Sequence, residues 1–141
     1  MELPFFVYGT LRPGAHNHAL YLRGRTAVEE PARLPGAVLR EGPGYPYAVR
    51  GPGDVVGDLV HAVPGAYRAL LSVLDRLEGF YGPGHPLNLY EREPCDVVRG
   101  RDGAFVRAWV YVAAARTEPG PPIEGGDWFS RGPAPDVPRT P

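Results

Sequence analysis

The chain contains no lysine; all 15 of its basic residues are arginines. Schiff-base catalysis and a phosphate-loop lysine are therefore excluded. A single cysteine, Cys95, excludes an internal disulfide framework and a cysteine-rich zinc site. Only two serines occur, Ser72 and Ser130, and neither lies in a G-x-S-x-G elbow, which argues against a serine hydrolase. No run of about 18 apolar residues exists, so no membrane-spanning helix is predicted. The first ten residues lack a basic segment and carry Glu2, unlike a signal peptide. With the lone cysteine, this predicts a cytoplasmic protein. A net charge of −1 gives no electrostatic footing for nucleic acid or an anionic membrane.

What is present is ordinary globular material: 141 residues, 43% hydrophobic and 22% charged. That length predicts one domain with a core large enough to carry a concave site. The 19 glycines and 18 prolines are unevenly spread, which points to stiff turns and a tail. Residues 4–8 read as a short strand buried on both faces, stopped at Gly9. Asn17 is a candidate N-cap for a helix over 18–23, closed by Gly24. Strands are predicted at 26–34 (demoted near Pro31), 37–40, 45–49 and 54–62, with Gly-Pro turns at 42–44, 51–53 and 82–84. The best hairpin joins 89–98 to 104–112. Residues 117–141 hold seven prolines and four glycines and read as an extended tail that wraps the domain or is partly disordered, with Trp128 and Phe129 as an anchored point. Many short strands with two helices disfavour a doubly wound sheet; a mixed sheet or small barrel flanked by helices fits better.

The clearest helix spans 65–78, with Tyr67, Leu70, Leu71, Leu74 and Leu77 at helical spacing and Gly79 just past its end. On a wheel of about 100° per residue, Glu78 falls about 40° from Leu74, inside the apolar stripe. A carboxylate there is costly unless it is paired, protonated or in a cleft. Desolvation and the negative end of the helix dipole both raise its pKa, which suits general acid–base work. The alternative is a helix that frays before residue 78 and leaves Glu78 in water. Asp75, at the border of the stripe, reads as a surface or capping residue. A second candidate is the strand end Tyr8-Gly9-Thr10-Leu11, where a sharp turn can present successive backbone N–H groups to a carboxylate or oxyanion. Arg12 can add a charged donor. An ordinary tight turn is the plainer reading of the same residues. His16 and His18 have no third ligand at helical spacing, so no metal site is predicted. Cys95 reads as a small packing residue on a strand.

The segment Phe6-Val7-Tyr8-Gly9-Thr10-Leu11-Arg12-Pro13-Gly14 resembles the signature loop of the gamma-glutamylcyclotransferase-like family, which includes gamma-glutamylamine cyclotransferases. Tyr45-Pro46 and Val56-Gly57-Asp58-Leu59-Val60 are similar to further family segments, although many relatives have Glu in place of Asp58. Leu74-Asp75-Arg76-Leu77-Glu78-Gly79 resembles the helix end that carries the family's catalytic glutamate. Tyr90-Glu91-Arg92, Ala108-Trp109-Val110-Tyr111 and Gly126-Asp127-Trp128 resemble the strands and closing motif that follow. The resemblance covers roughly residues 5 to 130, implying a domain over 1–130 and a proline-rich tail over 131–141.

It implies an α+β fold, a small mixed β-barrel flanked by helices, working without cofactor or metal on a small γ-glutamyl substrate. The implied reaction is intramolecular: the α-amine attacks the γ-carbonyl, 5-oxoproline forms and an amine leaves. Glu78 would be the general acid and base, and Tyr8, Gly9, Thr10 and Leu11 would bind the glutamyl end. The segment Phe80 to Leu89 has a pattern of its own, so the leaving amine is not inherited from any one relative. The competing function class is a non-catalytic small-molecule or partner-binding protein on the same fold. A two-carboxylate hydrolase would need Glu78 facing Asp58 or Asp75 across one cleft.

Overall fold

The computed structural model describes residues 2–15 and 17–130; His16 and the tail expected at 131–141 lie outside the described residues. Five strands form a closed barrel: β1 (Phe5–Val7), β2 (Thr26–Arg40), β3 (Tyr47–Ala62), β4 (Tyr90–Arg99) and β5 (Phe105–Ala113), in the order β1-β3-β2-β4-β5. Every pairing is antiparallel except that of β1 with β5, which closes the barrel and makes it mixed. Two helices flank it, α1 (His18–Tyr21) and α2 (Tyr67–Leu77).

Strand β1 is buried on both faces, as its uninterrupted apolar run predicts. Phe6 points into the barrel with Leu34, Leu39, Leu59, Val97 and Val110. Phe5 and Val7 point outward, where they pack beneath Leu70 and Leu74 of α2. Both leucines are fully buried, and each such burial contributes about 1.5–3 kcal/mol. This packing sets α2 across β1 and brings its C-terminus to the barrel end where β1 and β5 finish and β3 and β4 begin.

The four strand segments expected between 26 and 62 are two long strands, and the turn expected at 51–53 does not exist. The ladder passes from Ala37↔Arg50 to Pro35↔Asp54, so Gly51-Pro52-Gly53 bow out of register inside β3, opposite Gly36 (φ +74°). A bulge leaves Pro52 no ladder hydrogen bond to donate, which is why proline is tolerated there. Pro31 likewise does not weaken β2; its carbonyl accepts the Gly100 amide at 2.9 Å. The β4–β5 hairpin forms as expected, with Asp102 bound to Arg99 and to the Ala104 amide. Helix α1 is shorter than expected and Asn17 does not cap it; its side chain donates instead to Thr10 Oγ1 at 2.9 Å. The stretch 117–130 wraps the barrel, the first of the two alternatives for this segment. Ile123 is buried, its amide donates to Leu39 O at 2.7 Å, and a 3-10 turn at Glu124–Gly126 follows.

Candidate active site

Helix α2 ends at Leu77, one residue before the expected end, and Glu78 is its C-cap. The Gly79 amide donates to Arg76 O at 3.2 Å and the Phe80 amide to Asp75 O at 2.9 Å. These two bonds form a Schellman motif, which needs the left-handed conformation that Gly79 supplies (φ +62°). Chain reversal at Gly79 is fixed further by the Leu89 amide, which donates to Gly79 O at 3.0 Å. The helix therefore stops before residue 78, as the fraying alternative has it, yet Glu78 does not reach open water. It lines a cleft of about 290 Å³ at the barrel end, together with Tyr8–Leu11, Tyr45, Pro46, Leu77, Leu89, Tyr90 and Tyr111.

Burial alone raises the Glu78 carboxyl to about 7; no hydrogen bond or cation offsets it. No buried side-chain oxygen or nitrogen among the described residues is sealed off without a partner, so the Glu78 oxygens open onto the cleft. A bare carboxylate with a pKa near neutrality can take up and return a proton. The surrounding tyrosines Tyr8, Tyr90 and Tyr111 are held protonated, their pKa values raised first by burial.

The Tyr8–Leu11 loop forms another part of the same lining. The Tyr8 hydroxyl donates to Tyr111 O and accepts the Ala48 amide, so the ring is a fixed wall. Gly9 passes so close to Pro46 that a Cβ would lie 2.8 Å from Pro46 Cδ. Pro46 is held in turn by the Tyr90 hydroxyl, which donates to its carbonyl at 2.7 Å. The loop is closed by the Arg12 amide on Gly9 O and the Asn17 amide on Thr10 O, at 3.1 and 2.9 Å. Among the described residues, the amides of Gly9, Thr10 and Leu11 have no acceptor. Successive free N–H groups of this kind attract a carboxylate or oxyanion.

Two expectations are corrected. Arg12 is not a donor to the cleft: its Nε bonds Asp58 at 2.9 Å and its Nη1 bonds Asp127 at 2.8 Å. Asp75 is neither a cap nor a surface residue. It accepts from Arg92 Nε at 2.9 Å and from the Tyr111 hydroxyl at 2.6 Å, and Arg92 stacks over Trp109 at 4.3 Å. Neither Asp58 nor Asp75 lines the cleft, so the paired-carboxylate hydrolase finds no geometry here. His18 pairs with Glu29 and His61 with Glu30. Among the described residues, no group of three His, Cys, Asp or Glu side chains is gathered to hold a metal. Cys95 is half-buried, and burial raises its thiol further from reactivity. No helix among the described residues is long and apolar enough to cross a membrane. Leu89 and Tyr111 line the cleft, in keeping with a leaving-group border over Phe80–Leu89 and a core or cleft role for the aromatics of the 105–111 strand, whereas Tyr45, Pro46 and Tyr90 were given no site role from the sequence.

The family model described as "Gamma-glutamyl cyclotransferase, AIG2-like" matches residues 5–130. The Gamma-L-glutamyl-butirosin B gamma-glutamyl cyclotransferase of Niallia circulans is 34% identical over 107 residues, covering 76% of this chain and 64% of that protein. The chain thus spans less than two thirds of that relative's length. The solution structure of At3g28950.1 from Arabidopsis thaliana is 32% identical, with a TM-score of 0.61 over 82% of this chain and 64% of that one. A solved gamma-glutamyl cyclotransferase, 19% identical, shares the fold with a TM-score of 0.64 over 86% of this chain and 72% of that chain. With its matched span and the N. circulans relative, the chain belongs to the gamma-glutamyl cyclotransferase, AIG2-like family.

Proposed function

We propose that the protein is a γ-glutamyl cyclotransferase that releases 5-oxoproline and a free amine from a γ-glutamyl amine or amino acid. The observation that carries this reading is the Glu78 carboxylate, without a partner among the described residues, in a cleft also lined by Gly9, Thr10 and Leu11, whose amides have no acceptor among them. The N. circulans relative is named for a γ-glutamyl substrate, which supports the same substrate class.

The loop amides bind the α-carboxylate of the glutamyl group. This places the α-ammonium toward Glu78, whose carboxylate takes one proton from it. The freed amine attacks the γ-carbonyl carbon and a C–N bond closes the five-membered ring. Glu78 then passes its proton to the amide nitrogen of the leaving group, the C–N bond to that nitrogen breaks, and the carbonyl re-forms. Glu78 next removes the second proton from the ring nitrogen, and the departed amine takes it up. The α-nitrogen has lost two protons and the leaving amine has gained them, so Glu78 ends as it began. Because the nucleophile is tethered to its target, the protein mainly has to hold the reactive conformer.

The test is incubation of the purified protein with γ-glutamyl amino acids, γ-glutamyl-ε-lysine, other γ-glutamyl amines and glutathione, with 5-oxoproline read by mass spectrometry. Product from at least one substrate is expected, and it identifies the leaving amine. No product from the whole panel contradicts the enzymatic reading and favours a binding role for the same cleft.

A further inference from the structure

We infer that Arg12 is a positioning residue, a clamp on Asp58 and Asp127 that holds the Gly9–Leu11 amides in place without touching substrate. The inference rests on the cyclotransferase reading above.

Three stretches far apart in the sequence meet at this guanidinium. Arg12 follows directly on the loop that lines the cleft, and its own amide closes the turn on Gly9 O at 3.1 Å. Its side chain is only 11% exposed and leaves the loop away from the cleft lining. Asp58 stands on β3 opposite Val7, the last residue of β1, so it is as rigid as the barrel wall. Asp127 belongs to the C-terminal segment, where it is itself fixed by the Phe129 amide and the Ser130 hydroxyl, both at 3.0 Å. That segment is docked on the barrel by the Ile123 amide on Leu39 O, at 2.7 Å. The Phe129 ring covers the guanidinium, 4.3 Å from its centroid. One guanidinium between two carboxylates has no charge to spare for a substrate carboxylate.

The chemistry explains why such a clamp is needed. An amide cradle binds an anion well only when its N–H groups are already aimed, because aiming them on binding costs conformational entropy. A loop containing Gly9 has many conformations open to it in isolation. Anchoring Arg12 to the barrel and to the C-terminal segment removes them. Arg12 is suited to this by its rigid fork, which reaches both carboxylates at once; lysine carries a single point charge.

The two carboxylates also separate this role from direct substrate binding. If Arg12 were itself a substrate ligand, removing the charge of Asp127 would free it and strengthen binding. If it is a clamp, the same change loosens the loop and weakens binding. The experiment compares the wild-type chain with Asp127→Asn and Arg12→Lys. Steady-state kinetics are read on whichever γ-glutamyl substrate turns over, and amide hydrogen exchange on the unliganded proteins.

The expected result is a KM raised about tenfold in both variants, the loss of one charged hydrogen bond's worth of ordering, with kcat and its pH dependence unchanged. Exchange at the amides of residues 12 and 17, which close the loop on Gly9 O and Thr10 O, rises about as much, while the β4–β5 hairpin keeps its protection. If Arg12→Lys fails to fold, Asp127→Asn, at the more exposed end of the clamp, decides. An unchanged or lower KM in Asp127→Asn overturns the inference, and so does faster exchange spread over the whole barrel. Wild-type protein that turns over nothing, while exchange at the loop responds as stated, overturns the cyclotransferase reading and leaves the clamp standing.

Discussion

Asp75 and Glu78 lie three residues apart at the C-terminal end of α2, and only Asp75 is paired. Asp75 takes the Tyr111 hydroxyl and the Arg92 guanidinium, whereas Glu78 has burial as the sole cause of its raised pKa. The fold thus keeps one carboxylate as a structural anion and leaves its neighbour available for proton transfer. The division follows from the Schellman turn, which carries the chain out of the helix at Glu78 and toward the cleft.

The pH dependence of kcat/KM follows from this. Glu78 must be ionised to accept the proton of the substrate ammonium, and burial sets its pKa at about 7. The profile should therefore show an acid limb centred near pH 7, with kcat/KM falling about tenfold per pH unit below it. A limb near pH 4.5 would mean that Glu78 is solvated in the free protein.

Stability should carry the opposite cost. The folded-state pKa of Glu78 is raised from 4.5 to about 7, so the folded protein binds the proton more tightly than the unfolded chain. That contribution is fully present below pH 4.5 and is lost as pH rises through about 7. Glu78→Gln, which never ionises, should gain on the wild type across this window, reaching about 3 kcal/mol above it. Denaturant melts at pH 4 and pH 8 check this; equal differences at both would refute it.

Asp75→Asn should act on both properties. It leaves Arg92, stacked on Trp109 and Phe80, without its carboxylate. A loss of about 2 kcal/mol is expected for a pair that is only partly buried. The uncompensated cation also favours ionised Glu78, so the acid limb of kcat/KM should move to lower pH. A limb that stays in place would show that Arg92 is not felt at Glu78.

Gly9→Ala should disturb binding more than chemistry. The added methyl would sit 2.8 Å from the Pro46 ring, which the Tyr90 hydroxyl holds in place. The loop must yield, at about 1–3 kcal/mol in stability. A rise in KM larger than the fall in kcat is expected in steady-state assays, and a normal KM would contradict the assigned role of the loop.

Much of this site was legible in the sequence because its determinants are local. The apolar run ending at Gly9 marked β1 and the loop, the helical spacing up to Leu77 marked α2, and Gly79 marked its end. Glu78 stood out because a carboxylate does not belong among those leucines. The wheel gave its side but not its cause, since the helix ends one residue earlier and the turn orients it. What was not legible depends on contacts between distant segments. Gly51-Pro52-Gly53 carry the composition of a turn, and only the partner strand makes them a bulge. Residues 117–130 carry a composition that fits a wrapping tail as well as a loose one, and only their docking on β2 and Arg12 decides between the two. Arg12 looked like an anion-binding side chain because its two aspartates lie 46 and 115 residues away.

The most direct test of the central claim is the initial rate of 5-oxoproline release by wild type and Glu78→Gln, side by side, on the best γ-glutamyl substrate. Glutamine keeps the volume and polarity of the side chain but cannot carry the proton. The wild type is expected to release 5-oxoproline while the variant, folded as judged by circular dichroism and its melting curve, is slower by a factor on the order of 10³. A Glu78→Gln protein that keeps the wild-type rate would contradict the claim.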